Sequence, residues 1–224
     1  MRVALDIGYN VFPYEATNGS DGKEREIEQA KNIQKVIEER PNEKFLIYCG
    51  YDHVLEGNHK SWGKAMAGRL SEYTGINPLT INQVAFSEKS RPEYNNPLLK
   101  ALEIKWPTVL LDQQNNPYKY QRGESWTDVA VFYPNTKYRN CRPNWLFENG
   151  VKSVPTELED LDISFPVLIL AYKKEENIID GIPLDILEVK DKADKINLAL
   201  KRRDYQIVII NRKGDARKLN LKVN

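Results

Sequence analysis

Long hydrophobic runs are missing from this sequence. The longest apolar stretches cover residues 45–49 and 166–171, far short of the ~20 residues that a membrane-spanning helix needs. The sequence therefore predicts no membrane span. Cysteine is also scarce, with two copies, so a disulfide framework is excluded, although one bridge between Cys49 and Cys141 remains possible.

A strong excess of charge of either sign is missing as well. Lysine and arginine number 33 against 32 acidic residues, which gives a formal net charge of +1. Such a chain has no global field to recruit nucleic acid or an anionic membrane, so we expect no nucleic-acid partner. With 41% hydrophobic and 29% charged residues the composition is that of a globular chain. Its 224 residues suffice for one large domain or two small ones.

Histidine is scarce too, with two copies in the whole chain. The two cysteines lie far apart in the sequence, so we expect no zinc cluster of cysteines and histidines. The sequence also lacks the phosphate-loop, dinucleotide-binding, nucleophile-elbow and zinc-helix motifs. A complete catalytic set is thus not visible within this chain.

Strand-like and helix-like segments alternate over the first two thirds of the chain. This order predicts an α/β domain over residues 1–160, with a mostly parallel sheet flanked by helices. The predicted strands cover 9–14, 44–49, 79–86, 107–111 and 128–133, and the predicted helices cover 24–39 and 60–73.

The last third of the chain changes character. Short strand-like segments follow one another there without a long helix, which predicts a small antiparallel β-rich module over residues 161–224. These segments cover 166–172, 184–189, 196–200, 205–211 and 219–223.

The beginning of the chain resembles the end of a helix. Residues 3–7 read as a last helical turn, and Gly8 is the residue type that usually follows one. We therefore expect a domain that is incomplete at its N-terminus. No targeting segment is visible, which gives a cytoplasmic location by default and an exported one if an N-terminal segment is missing.

One of the two histidines lies where α/β proteins bind ligands. His53 and Asp52 follow directly on the apolar segment 45–49, at the predicted carboxyl end of a strand. Glu15 ends the segment 9–14 in the same way, so a histidine and two acids are expected at one sheet edge and could bind a metal or transfer protons. The alternative is a loop whose polar groups only satisfy the backbone. His59 reads as an ordinary surface histidine.

The first long helix adds a polar stripe. Ile27, Ala30, Ile33 and Ile37 form its predicted buried arc, and charged residues form the opposite one. Between these arcs lies a row at i, i+4 and i+7 that could face a cleft: Arg25, Gln29 and Asn32. A purely structural pairing of Arg25 with Glu15 is an equally good explanation for the arginine.

These motifs resemble a known superfamily in their order. An acid after a strand is followed by Arg-Glu-x-x-x-Ala-x-Asn at 25–32 and then by Gly-x-x-His at 50–53. Over residues 5–85 this is similar to the erythromycin-esterase-like superfamily, which also contains the ChaN haem-uptake lipoproteins and the Tiki and TraB proteins. Residues 86–224 carry no such resemblance.

The resemblance implies half of a hydrolase-type site. By position, His53 matches the base or metal ligand, Glu15 the acid or base, and Arg25 the group that stabilises negative charge. Substrate would then be bound by neighbouring polar residues: Gln29, Asn32, Tyr51 and Asp52. The Gly-Glu-x-His motif of the family's other half is nowhere in this sequence, so we expect no competent enzyme from this chain alone, either because an upstream part has been lost or because the scaffold serves another purpose.

Two other hypotheses remain open from the sequence. In the first, the chain binds haem or another small-molecule ligand in the manner of the ChaN proteins, with Tyr14 and Tyr51 lining a pocket and His53 as axial ligand. A divalent metal is the alternative cofactor to haem. In the second, the chain is a structural or interaction domain. The oligomeric state is left open.

Overall fold

The computed structural model describes residues 2–19, 21–156, 158 and 161–224. The chain divides into two units, Met1–Asn135 and Thr136–Asn224. The domain boundary that the sequence predicts at residue 160 lies outside the described residues. No helix in the described part of the chain is long and apolar enough to cross a bilayer.

The first unit contains the helices of the described chain and several short strands. Its helices are α1 (Arg2–Asp6), α2 (Gly22–Glu39), α3 (Met66–Thr74) and α4 (Pro97–Ala101), and 3₁₀ turns cover Tyr51–Val54 and Pro92–Tyr94. Its strands are β1 (Glu56–Gly57), β2 (Ile81–Phe86), β3 (Thr108–Val109), β4 (Tyr120–Arg122), β5 (Ser125–Thr127) and β6 (Val129–Phe132).

Helices α2 and α3 pack on each other and form the core that supports the candidate site. Ala30 and Ile33 of α2 and Met66 and Leu70 of α3 are buried together. Helix α3 ends at Gly75, whose φ of 70° and hydrogen bond to Ser71 form a left-handed cap. The predicted helix over 60–73 begins only at Met66, because the residues before it form a separate turn.

The predicted mostly parallel sheet flanked by helices is wrong. The described chain is 22% helical and 31% strand, mostly in antiparallel and mixed sheets. In the first unit β2 and β6 are parallel, β3 joins β6 antiparallel, and β1, β5 and β4 form an antiparallel sheet. Residues 9–14 and 44–49 belong to no helix and no strand ladder. The prediction assumed that segments alternating between strand-like and helix-like form one sheet, whereas strand partners are set by distant segments that the local pattern does not specify.

The second unit is built of antiparallel strands. It contains β7 (Tyr138–Arg139), β8 (Arg142–Pro143), β9 (Lys152–Thr156), β10 (Val167–Lys173), β11 (Asp185–Val189), β12 (Ile196–Leu200), β13 (Arg203–Asn211) and β14 (Ala216–Val223), with a 3₁₀ turn at Asn144–Phe147. The order β11-β10-β13-β14 forms one sheet, and β9 pairs with β12. Apolar side chains from both groups of strands, such as Ile169 and Leu198, share one buried core.

Candidate functional site

His53 is held by a buried glutamate that the sequence interpretation missed. The imidazole Nδ1 lies 2.7 Å from Oε1 of Glu26, whose side chain is 1% exposed. The second oxygen of Glu26 accepts a hydrogen bond from the backbone N–H of Met66 at 2.8 Å, at the start of α3. The ring N–H is not aimed closely enough at Oε1 for a well-formed hydrogen bond, so the contact is a short, imperfectly aligned pair.

The ring faces of both histidines contact one tryptophan. The His53 ring lies 5.6 Å from the Trp62 ring at 12°, and His59 lies 4.1 Å from it at 20°. Arg69 fixes the turn that carries Trp62, because its guanidinium donates to the carbonyls of Trp62 and Lys64 at 2.7 and 3.0 Å. The indole therefore restrains rotation of the His53 ring.

His59 is buried, so the predicted surface position is wrong. Its exposed fraction is 7%. Nδ1 accepts from the Ser61 N–H at 3.3 Å, which favours the proton on Nε2. That nitrogen lies 3.5 Å from Oδ2 of Asp52 and 3.3 Å from Nη2 of Arg122. Oδ2 also accepts from Arg122 at 2.6 Å. Burial raises the pKa of Asp52, but the hydrogen bond and charge of Arg122, with a smaller contribution from His59, outweigh that and hold it below its ordinary value.

Glu15 and Arg25 form the pair that the structural explanation of the arginine predicts. Arg25 donates from Nε and Nη2 to the two carboxylate oxygens at 2.9 and 2.6 Å, and Gln29 Nε2 donates to Oε1 at 2.8 Å. The Arg25 hydrogen bond lowers the pKa of Glu15 to about 2. Asn32 donates to the carbonyls of Tyr14 and Glu15 at 3.1 and 3.3 Å, so its amide supports the backbone.

The two candidate tyrosines differ in exposure and in hydrogen bonding. Tyr51 has a φ of 39° and is 78% exposed. The hydroxyl of Tyr14 donates to the Tyr48 carbonyl at 2.8 Å, and burial, followed by nearby Cys49, raises the pKa of Tyr14 to about 12. Burial and the charge of Glu26 raise the pKa of Cys49 to about 11, so its thiol is a poor nucleophile.

One helix therefore holds both parts of the candidate site. Arg25 and Glu26 are consecutive on α2, and they contact Glu15 and His53 respectively. The signal for Glu26 was present in the sequence: it precedes Ala30 by four residues and Ile33 by seven, which places a carboxylate on the buried face. Ile27, predicted to be buried, is half-exposed instead.

Two further findings concern metal binding and similarity to known proteins. Among the described residues no group of three or more histidine, cysteine, aspartate or glutamate side chains could bind a metal ion. Comparison with family models, curated proteins and solved structures gave no match. The resemblance to the erythromycin-esterase-like superfamily stays a prediction.

Proposed function

We propose that this chain carries the proton-transfer half of a hydrolase-type site, with His53 as general base. The observation that supports this most is the 2.7 Å contact between His53 Nδ1 and Glu26. A carboxylate on one imidazole nitrogen favours the tautomer whose other nitrogen is free to take a proton. No hydrogen bond from a described residue occupies Nε2 of His53, and the side chain keeps 15% exposure.

The neighbouring groups then take distinct roles. Glu26 orients the imidazole, and Trp62 covers one ring face. Glu15 is not the proton donor, because a carboxyl with a pKa of about 2 is ionised at neutral pH. It positions Arg25, whose side chain is 39% exposed and whose guanidinium supplies positive charge at the edge of the site.

This half-site is expected to act on activated substrates only. General-base catalysis by a positioned histidine contributes about 10²–10⁴-fold, and the groups of the family's other half are absent from the sequence. Hydrolysis of 4-nitrophenyl acetate is therefore the appropriate first assay, since its leaving group needs no protonation.

The assay compares four proteins at neutral pH. Wild type should hydrolyse the ester faster than buffer, His53→Gln should lose that excess, and Glu26→Gln should lose most of it. Glu24→Gln, a change at an exposed position of the same helix, should match wild type. Circular dichroism checks that each variant is folded. No excess rate in wild type, or an excess that survives in folded His53→Gln, contradicts the proposal.

Haem binding is a second candidate because Nε2 of His53 is free while Nδ1 faces a carboxylate, the arrangement common to metal-bound histidines. In such a complex His53 would be the axial ligand. Tyr51, with its exposed side chain, and Tyr14, with its engaged hydroxyl, do not fit as pocket walls. Haem titration tests the candidate: a shifted absorption band that is lost in His53→Ala supports it, and a band unchanged in that variant contradicts it.

A further inference from the structure

Side-chain exposure alternates over residues 45–49, as in a strand with one face covered, but the segment belongs to no strand ladder. Phe45, Ile47 and Cys49 are half-buried, and Ile47 and Cys49 pack on the α2–α3 core. Leu46 and Tyr48 point the other way and are 76% and 88% exposed. Large apolar side chains that form a contiguous exposed patch mark interaction surfaces.

The backbone of this segment also lacks partners. Among the described residues, none of its N–H groups donates to another backbone carbonyl. The carbonyl of Tyr48 accepts from the Tyr14 hydroxyl. Because backbone groups alternate between the two edges of a strand, those of Phe45, Ile47 and Cys49 point to the opposite edge. That edge presents unpaired donors and acceptors, which is a template for strand addition.

The segment is complementary to itself in charge and shape. Residues 45–51 contain no charged side chain. In an antiparallel pairing of two copies centred on Ile47, Phe45 lies opposite Cys49, Leu46 opposite Tyr48, and Lys44 opposite Gly50. Each exposed leucine then covers a tyrosine of the other copy, and no like charges face each other.

We propose that two copies of this chain dimerise by antiparallel pairing of residues 45–49 about a two-fold axis at Ile47. The backbone groups of Phe45, Ile47 and Cys49 pair across the axis, and Leu46 and Tyr48 pack against their symmetry mates. The segment leads directly into Gly50–His53, so the dimer brings two His53 turns to the ends of one shared ladder.

Analytical ultracentrifugation from low micromolar to submillimolar protein tests the proposal. Wild type should show a reversible equilibrium that ends at twice the monomer mass. The double change Leu46→Lys and Tyr48→Lys sets lysine opposite lysine and should weaken the dimer at least about tenfold, which is about 1.4 kcal/mol. The swapped pair Leu46→Lys and Tyr48→Glu sets lysine opposite glutamate and should recover association.

Leu79→Lys is the matched control, since Leu79 is 71% exposed and lies outside the segment. It should dimerise like wild type. Hydrogen exchange at the amides of Phe45, Ile47 and Cys49 should slow as the protein concentration rises. Wild-type protein that stays monomeric at every concentration overturns the proposal. A dimer whose dissociation constant is unchanged by the double lysine substitution also overturns it, as does a swapped lysine–glutamate variant that associates as weakly as the double lysine variant.

Discussion

The two units differ in what they bury. The second unit has one apolar cluster of eleven buried residues among those described, whereas the first has clusters of four and three. In compensation the first unit buries a series of polar and charged side chains, including Glu26, Gln29, His59 and Arg69. Apolar burial is non-directional, whereas each buried polar group needs a particular partner. The first unit therefore buries fewer apolar side chains and more polar side chains whose partners fix their positions. The candidate site lies in this unit.

The largest effect is expected where the apolar core is continuous. Ile169 is fully buried on β10 within the second unit. Ile169→Ala should lower the free energy of unfolding by about 2–5 kcal/mol, the cost of lost burial and a cavity. Ile179→Ala, at a side chain that is 90% exposed, should leave the stability within about 0.5 kcal/mol of wild type. Urea unfolding measures both, and equal effects at the two positions would show that this core is not the source of stability.

A backbone position in the first unit should be nearly as sensitive. Gly57 has a φ of 75°, and a Cβ built on it would lie 2.2 Å from the Glu124 carbonyl oxygen and 2.2 Å from the Trp126 ring. Gly57→Ala should destabilise by about 2–4 kcal/mol, through the overlap and the strained φ together. Gly50→Ala, where nothing lies within 4 Å, is the control. A thermal midpoint for Gly57→Ala equal to that of Gly50→Ala would contradict the close packing of β1 against β5 at Gly57.

Removing the buried carboxylate should have a smaller but specific effect. Glu26→Leu leaves the Met66 N–H without its acceptor and should cost about 1–3 kcal/mol. Glu24→Leu, at an exposed position of α2, serves as the comparison in the same chemical denaturation experiment. Hydrogen exchange should rise first at the beginning of α3. If Glu26→Leu were as stable as wild type, the polar contacts of the first unit would not be what orders it.

The smallest effect concerns pH. The pKa of Glu15 falls from 4.5 to about 2 on folding, so its contribution is present above about pH 4.5 and is lost as the pH falls towards 2. Because the Glu15 side chain is 54% exposed, we expect this ionisation to contribute less than about 1 kcal/mol to the free energy of unfolding. Urea unfolding of wild type and Glu15→Gln should differ at pH 7 and converge near pH 2. A difference that persists at the acidic end would assign the effect to something other than ionisation.

Local patterns predicted local structure well. Helix α2 and the strands β10 to β14 occur close to the segments predicted for them, whereas β7, β8 and β9 were not predicted. The Arg25–Glu15 pair is one of the two explanations that the helix stripe offered for the arginine. The predicted parallel sheet is wrong because the segments 9–14 and 44–49 have no strand neighbours. The order of strand-like and helix-like segments does not specify which strands pair.

Most of the residues around His53 could not be predicted from the sequence. Arg122 contacts Asp52 across 70 residues, and no spacing rule links such positions. Trp62 and His59 depend on a turn that Arg69 organises from within the next helix. Glu26 could have been found, since a carboxylate on the apolar face of a helix signals a buried partner.

The tautomers of the two histidines test the central claim most directly. Glu26 beside Nδ1 should keep neutral His53 protonated at Nδ1 with Nε2 free. In His59 the Ser61 N–H beside Nδ1 and the Asp52 carboxylate beside Nε2 should keep the proton on Nε2, in competition with the Arg122 guanidinium 3.3 Å from that nitrogen. Imidazole ¹⁵N spectra of a chain with only two histidines resolve this, with His59→Gln giving the assignment. Opposite tautomers are the result that the account predicts. A neutral His53 protonated at Nε2 would contradict it, because the proposed base would then have no free nitrogen facing away from Glu26.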